Sequence, residues 1–257
     1  MGWLRKAWRR AKNFVRAVVR AVVRIVVTIV TFVVKILDLI FGFLAWPQKK
    51  MRLQILVLKN SDAPGDYTLT DRSMMMPSIE KAIAILKDQC NIKLTAYSKG
   101  NKDPIDNWVQ FIDDLPPGNA LVGEKCNPWT IFTQEFKQAG AFFADHLAGW
   151  VGGIPTSGYF PITMFVIRDF KDPDLLGCSG GFWTEYITVK GSAFVDASGK
   201  PVELSTIAHE IAHTCNLLGH FDYKTNIQYP NEDRTAPYRF NWLQKSIVRS
   251  SRHATYY

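Results

Sequence analysis

His209-Glu210-Ile211-Ala212-His213, followed closely by Gly219-His220, is the stretch from which the fold and the site can both be predicted. On a helix, two histidines four residues apart project from the same face, so both imidazoles can reach one metal ion. The glutamate beside the first histidine can then take a proton from a metal-bound water. This donor set suits Zn²⁺, whose catalytic sites use three protein ligands and leave one position open. The stretch therefore predicts a zinc site of His209, His213 and His220, with Glu210 as general base.

A family resemblance rests on this stretch and on a second one, Asn226-Ile227-Gln228-Tyr229-Pro230. The run 209–220 resembles the zinc-binding consensus HExxHxxGxxH of the metzincin metallopeptidases, and the run 226–230 is similar to the Met-turn of that clan. The resemblance implies an α+β domain with a mixed sheet and an active-site helix, Zn²⁺ as the cofactor, and peptides or proteins as substrates. It also implies that Tyr229 and Pro230 form a wall of the substrate pocket. A tyrosine that stabilises an oxyanion, or one that is only structural, is the alternative for Tyr229.

The sequence departs from the metzincin pattern in three places. Asn216 replaces the consensus glycine, and we expect it to adopt the left-handed conformation that reverses the chain there. His220 comes one residue later than the third ligand of the consensus, so Asp222 and Glu232 remain alternative third ligands. Gln228 replaces the Met-turn methionine, which lies under the metal without binding it. The first two ligands are therefore predicted more firmly than the third.

The net charge of the chain is concentrated at its N-terminus. The chain of 257 residues carries a formal charge of +8, but residues 1–52 hold twelve Lys/Arg and one Asp, so residues 53–257 carry about −3. Residues 1–24 read as a cationic amphipathic helix with an arginine stripe, suited to an anionic membrane surface. A solvated helix packed on the protein's own domain is the alternative. Without a basic patch in the remaining chain, we expect no nucleic-acid partner.

Residues 25–46 follow without a break and are long enough to cross a bilayer. Fifteen Val, Ile, Leu or Phe residues, worth roughly −0.3 to −0.6 kcal/mol each, balance Lys35 and Asp38, which cost about 2.5–3.5 kcal/mol each. Lys35 and Asp38 can pair on one helix face. We therefore expect an uncleaved single-pass anchor with a cytoplasmic N-terminus and an extracytoplasmic domain, joined by a linker at 47–52. A segment that inserts into a target membrane or self-associates is the alternative.

Residues 53–257 are predicted to form the metallopeptidase domain. Apolar runs and helical periodicity predict strands at 53–59, 91–97, 161–168 and 184–190, and helices at 77–89, 108–112, 129–147, 201–216 and 236–252. The strand at 184–190 precedes the active-site helix, so we expect an extended substrate to pair with its edge. The four cysteines lack the CxxC spacing of a cysteine zinc site. If the domain is extracytoplasmic, one or two disulfides can form; their connectivity does not follow from the sequence, and Cys126–Cys178 is one candidate pair.

Taken together, these patterns predict a membrane-associated zinc endopeptidase. Two alternatives remain open from sequence alone. In one, the N-terminal helix is the effector of a membrane-inserting toxin, and in the other an inactive zincin domain serves as a binding module. Substrate specificity and oligomeric state do not follow from the sequence.

Overall fold

The fold is described from a computed structural model of the chain. The residues described are 2–58, 72–97, 108–112, 122–123, 138–151, 154–155, 160–170, 172–179, 185–195, 200, 202, 204–217, 219–230 and 234–256. All structural statements that follow concern these residues.

Six helices and ten strands are described. The helices are α1 (Gly2–Val34), α2 (Ile36–Phe41), α3 (Met76–Cys90), α4 (Gln138–Asp145), α5 (Thr206–Thr214) and α6 (Trp242–Ser250). The longer strands are β1 (Lys49–Leu58), β2 (Ile92–Ala96), β3 (Val109–Ile112), β7 (Ile162–Ile167), β9 (Gly177–Ser179) and β10 (Tyr186–Lys190). Four two-residue strands complete the set: β4 (Val122–Gly123), β5 (Trp150–Val151), β6 (Ile154–Pro155) and β8 (Asp169–Phe170). Short 3₁₀ helices cover Gly42–Leu44, Arg72–Met75 and Gly191–Ala193.

A mixed six-stranded sheet forms the centre of an α+β fold. Its strands run in the order β2-β1-β7-β10-β9, and β3 pairs with the C-terminal half of β1. All pairings are parallel except that of β9, which lies antiparallel to β10 at the end of the sheet. Antiparallel β9 thus forms one edge of the sheet, and no other described strand pairs with its outer side.

The central strands separate two hydrophobic layers. Leu53, Ile55 and Val57 of β1 face one layer with α3 and α5, while Leu56 and Leu58 face the other layer with α4. This alternation follows from the two-residue period of a strand. Because both faces are covered, β7 and residues 55–58 of β1 are apolar almost throughout, as strands of buried parallel sheets are.

Several predicted elements differ from those observed. The predicted helix at 108–112 is wrong, since 109–112 form strand β3 and pair with β1. The strand predicted at 184–190 exists as β10, but it lies between β7 and β9, so its edges are occupied and it is not the substrate-pairing edge. Strand β1 begins within the predicted linker, at Lys49. The helix predicted at 129–147 lies outside the described residues as far as residue 137, and its described part forms α4 (Gln138–Asp145).

The N-terminal helix packs on the domain through its charged side. Arg20 and Arg24 are almost fully buried, with 1% and 2% of their surface exposed. Arg24 Nε lies 3.8 Å from a carboxylate oxygen of buried Glu185, and Arg20 Nη1 lies 3.9 Å from Asp145 at the end of α4. Arg252 Nη2 approaches the same Glu185 carboxylate at 2.9 Å. The helix therefore docks by ion pairs, and its apolar side faces outward.

The expectation of a membrane-spanning segment at 25–46 is wrong. Among the described residues, none of the helices is long and apolar enough to cross a bilayer. Helix α1 carries arginines as far as Arg24 and ends at Val34, before Lys35, so its uncharged stretch, 25–34, has only ten residues. The predicted single-pass arrangement, with a cytoplasmic N-terminus and an extracytoplasmic domain, is wrong for the same reason.

Lys35 and Asp38 make polar contacts with other parts of the protein. The Lys35 ammonium donates to the carbonyls of Ser251 and Ala254 near the C-terminus. Asp38 accepts from Lys49 Nζ at 2.6 Å, at the start of β1. Burial lowers the pKa of Lys35 to about 7. The two charges thus fasten α2 to the first strand and to the C-terminal segment.

Candidate metal centre

The candidate site is built on α5, which crosses beneath the end of the sheet. Ile207, Ala208, Ile211 and Ala212 are fully buried in the core layer shared with α3, which fixes the rotation of the helix. That rotation points His209 and His213, one turn apart, to the same side. The Thr214 hydroxyl exchanges a 2.9 Å hydrogen bond with Ser179 of β9, so the helix is also fixed against the edge strand.

Three imidazoles meet at this side of α5. His213 Nε2 lies 3.1 Å from His209 Nε2 and 3.2 Å from His220 Nε2, and the three ligand atoms all lie within 4.8 Å of one another. Two nitrogens bound tetrahedrally to one zinc at about 2.0–2.1 Å are about 3.3–3.4 Å apart. The observed separations are close to that spacing. The structure therefore brings together the three predicted ligands, including His220 one residue beyond the consensus position.

The other ring nitrogens of His209 and His213 fix the tautomers. His209 Nδ1 lies 2.7 Å from the Ile227 carbonyl oxygen, and His213 Nδ1 contacts the Leu217 carbonyl oxygen. A carbonyl oxygen can only accept, so both Nδ1 atoms carry the hydrogen in the neutral rings. Both Nε2 atoms then present lone pairs. Such carbonyl partners are the usual way in which a protein orients metal-binding histidines.

The imidazoles are held neutral by their surroundings. Burial lowers the pKa of His213 to about 4 and the pKa of His209 well below its ordinary value, and the neighbouring cationic groups act in the same direction. Burial also lowers the pKa of His220. In neutral rings, the lone pairs of His209 and His213 face each other across 3.1 Å, where they cannot hydrogen bond to each other. A cation between them removes that repulsion, so the donor set fits a metal ion.

Glu210 is the one acidic side chain buried next to these ligands on α5. It is 4% exposed, and its Oε2 atom has no hydrogen-bond partner among the described residues. Burial raises the pKa of its carboxyl group to about 8, with Arg234 acting against the shift. A buried carboxyl oxygen without a partner is costly. Glu210 thus keeps a buried acceptor on the helix that carries His209 and His213.

Gly177 on β9 makes room for that carboxyl group. A Cβ added at Gly177 would lie 2.2 Å from Glu210 Oε1, a distance that real Cβ contacts essentially never show. The edge strand of the sheet therefore passes directly against the Glu210 carboxyl group. No local pattern indicates this role, because a glycine in a Gly-rich segment is typical of a turn.

The turn after α5 carries the third histidine to the site. Asn216 adopts a left-handed conformation with φ 74°, which confirms the expectation for the residue in place of the consensus glycine. Gly219, by contrast, has open space where a side chain would begin. The reversal at Asn216 and the longer loop that follows thus place His220 against His213.

The loop at 226–230 contacts the metal-binding helix at His209. The Gln228 side chain is fully buried and donates from Nε2 to the His209 carbonyl at 3.0 Å. Asn226 and Gln244 of α6 exchange two side-chain amide hydrogen bonds, of 3.0 and 3.1 Å. The loop is therefore fixed both to α5 and to α6.

Arg234 is a buried cation that sequence reasoning missed. Its Nε donates to Ser205 Oγ at 2.8 Å and its Nη1 to the Tyr229 carbonyl at 2.8 Å, so it joins the 226–230 loop to the start of α5. Nη1 also lies 3.2 Å from His209 Nδ1. Since both nitrogens carry hydrogen, this is a close contact and not a hydrogen bond. An arginine outside the two motifs gave no local signal in the sequence.

The remaining predicted site residues lie nearby without a demonstrated role. Tyr229 is half-buried and Pro230 is exposed, and their part in a substrate pocket stays a prediction. Asp222 is exposed and is not a member of the histidine group, while Glu232 lies outside the described residues. Cys178 is disulfide-bonded, whereas Cys90 and Cys215 are free buried thiols. Cys126, the candidate partner of Cys178, lies outside the described residues.

Comparisons with known proteins do not extend the resemblance. No protein-family model matches the chain, and a search of curated proteins finds no similar sequence.

Proposed function

We propose that the chain is a zinc-dependent endopeptidase of zincin type, with His209, His213 and His220 as the metal ligands and Glu210 as the general base. The proposal rests on the convergence of three imidazoles, in which His213 Nε2 lies 3.1 Å from His209 Nε2 and 3.2 Å from His220 Nε2. Backbone carbonyls hold His209 and His213 in the tautomer that leaves Nε2 free to bind a metal. Three histidines with no fourth protein ligand among the described residues match a catalytic zinc site more closely than a structural one.

Each part of the site has a role in peptide hydrolysis. Zinc, when bound by three histidines, supplies Lewis acidity and brings the pKa of a coordinated water to about 7. Glu210 accepts the proton of the attacking water on its free Oε2 and returns it to the leaving amine. Burial raises the affinity of the carboxylate for that proton, which suits it to a base that must also act as an acid. Gln228 and Arg234 hold the backbone beneath His209.

The substrate is proposed to lie along β9 and not along β10. Strand β9 is at the end of the sheet, and its Gly177 touches the Glu210 carboxyl group. An extended peptide that adds to this edge gains main-chain hydrogen bonds from a strand that passes the proposed base. This replaces the earlier expectation for 184–190, whose strand is internal.

The proposal is tested with the full-length chain loaded with zinc and incubated with a peptide library, with cleavage followed by mass spectrometry. Glu210→Gln should keep the zinc and lower kcat/KM by about 10²- to 10⁴-fold, the usual contribution of a general base. The matched control is Glu80→Gln, an exposed glutamate on α3, which should cleave like the parent.

Two outcomes would overturn the proposed function. If the zinc-loaded parent cleaves no peptide in the library, the domain is a binding module and not an enzyme. If Glu210→Gln cleaves as fast as the parent, the general base lies elsewhere.

A further inference from the structure

The outward side of α1 is apolar over most of its length. Nine of the seventeen residues between 14 and 30 are large hydrophobic residues that are 39% to 60% exposed: Phe14, Val15, Val18, Val19, Val22, Ile25, Val26, Ile29 and Val30. At 3.6 residues per turn, these positions cover about half of the helix circumference. We call them the outer apolar face. It is larger than the scattered hydrophobic residues that a monomer surface normally shows.

The outer apolar face continues past the end of α1. Ile36, Leu37, Ile40 and Phe41 of α2 are 44% to 66% exposed. Phe43 then makes an edge-to-face contact with Trp242 of α6, with ring centroids 6.4 Å apart. Trp242 is itself 65% exposed, so the apolar surface runs from the N-terminal helix onto the body of the protein.

The orientation of α1 is set by the domain and is opposite to that of an ordinary surface helix. Arg16 and Arg20 reach Asp145, and Arg24 reaches Glu185, so the arginine side is turned inward. A helix in water normally buries its apolar side. Three arginines with acidic partners on the domain therefore hold the apolar side away from it.

The charge of α1 indicates what covers this face. No Asp or Glu occurs before Asp38, and Arg5, Arg9, Arg10 and Lys12 are exposed at the N-terminal end of the helix. Trp8 among them is 74% exposed, and Trp46 beyond the other end is 79% exposed. Exposed basic groups, tryptophans at the two ends and an apolar face between them are the features of a helix that lies in the interface of an anionic bilayer.

We propose that the outer apolar face binds the surface of a bilayer rich in acidic phospholipids, with α1 lying parallel to the surface. Half of a helix circumference is wider than the two positions in seven that a coiled-coil partner would cover. A second basic helix alongside would also bring like charges together, whereas an acidic lipid surface attracts them. The binding is peripheral, since α1 stays docked on Asp145 and Glu185 and none of the described helices is long and apolar enough to cross a bilayer. The proposal does not depend on the metal centre.

The experiment is co-sedimentation of the full-length chain with vesicles of phosphatidylcholine alone and of phosphatidylcholine with phosphatidylserine. The parent should bind the acidic vesicles, and salt should weaken the binding. Val22→Glu with Ile29→Glu, both on the outer apolar face, should weaken binding at least about tenfold because charge replaces inserted apolar surface. Arg5→Glu with Arg9→Glu should also weaken it, by about fivefold or more per residue.

The matched control is Val202→Glu, which places the same charge at a 43% exposed valine away from α1 and should bind vesicles like the parent. Circular dichroism of each variant establishes that the chain is folded. Equal binding to both kinds of vesicle, no binding to either, or unchanged binding by the Val22/Ile29 variant would overturn the proposal. So would a lipid-free oligomer that the same variant dissociates, since a second copy would then cover the face.

Discussion

Helices α1 and α5 both bury charged or titratable side chains, and they do so in opposite ways. On α1, the buried arginines meet acidic groups of the domain, as Arg24 meets Glu185. On α5, buried Glu210 has an oxygen without a described partner, and His209 and His213 turn lone pairs toward each other. In the first arrangement each buried arginine has a counter-charge within the chain, while in the second the three imidazoles could hold a metal ion.

The two helices differ in what their buried charged or titratable side chains contact. A buried charge with its counter-charge in place positions an element, whereas buried imidazole nitrogens that converge without a counter-ion are suited to hold a cation. By this criterion, the Glu185 cluster docks α1, and the histidines beside Glu210 form the proposed metal site. Variants of the Glu185 cluster and of the residues around Glu210 test this distinction.

The largest effect is expected for Glu185→Gln. The change leaves Arg24 and Arg252 buried without their shared carboxylate, and breaking such a cluster costs about 3–5 kcal/mol. Urea unfolding of the full-length chain measures this loss, and zinc binding by the remaining folded protein should be unchanged. Asp145→Asn is the matched control, because its half-exposed carboxylate should contribute less than about 1 kcal/mol. Equal losses in the two variants would remove the distinction between the clusters.

Gly177→Ala tests whether strand β9 positions the Glu210 carboxyl group. The new Cβ would lie 2.2 Å from Glu210 Oε1, so the carboxyl group must move. We expect peptidase kcat to fall by about 10- to 100-fold with little change in bound zinc, since misplacement by about 1 Å has costs of this order. Gly219→Ala is the control, as nothing lies within 4 Å of its added Cβ. Full activity in Gly177→Ala would show that Glu210 is not positioned by β9.

A pH experiment on metal-free protein tests the cost of burying Glu210. Its pKa is about 8 in the fold against an ordinary value of 4.5, so the folded chain holds a proton that the unfolded chain has lost between these values. Stability from this group is therefore present below about pH 4.5 and is lost as the pH rises through 8. Glu210→Gln, which cannot ionise, should thus stabilise the metal-free chain markedly more at pH 8 than at pH 5. Thermal unfolding at the two pH values measures this, and a gain of equal size at both would contradict it.

The smallest effect is expected for Gln228→Met, which restores the residue of the resembled turn. The change removes the hydrogen bond to the His209 carbonyl, but it also removes a buried Oε1 atom with no described partner. These terms nearly cancel, so unfolding free energy should change by less than about 1 kcal/mol. A loss well above that, measured by urea unfolding, would mean that Gln228 holds α5 in place.

Local patterns were the predictable part of the structure. The four-residue spacing in His209 and His213 fixes their common side on any helix, and Asn216 is suited to the left-handed turn that brings His220 back. Gly177 and Arg234 were missed because their roles come from contacts with elements distant in sequence. The apolar and basic sides of α1 were also readable, but which side is buried depends on Asp145 and Glu185, far along the chain.

The most direct test of the account is the zinc content of the purified full-length chain, measured beside His220→Ala and Asp222→Ala. The full chain is required because buried ion pairs join residues 16–24 to the domain. We predict close to one zinc per chain in the parent and in Asp222→Ala, and loss of zinc in His220→Ala. A folded parent that binds no zinc, or a His220→Ala variant that keeps it, would contradict the metal centre described here.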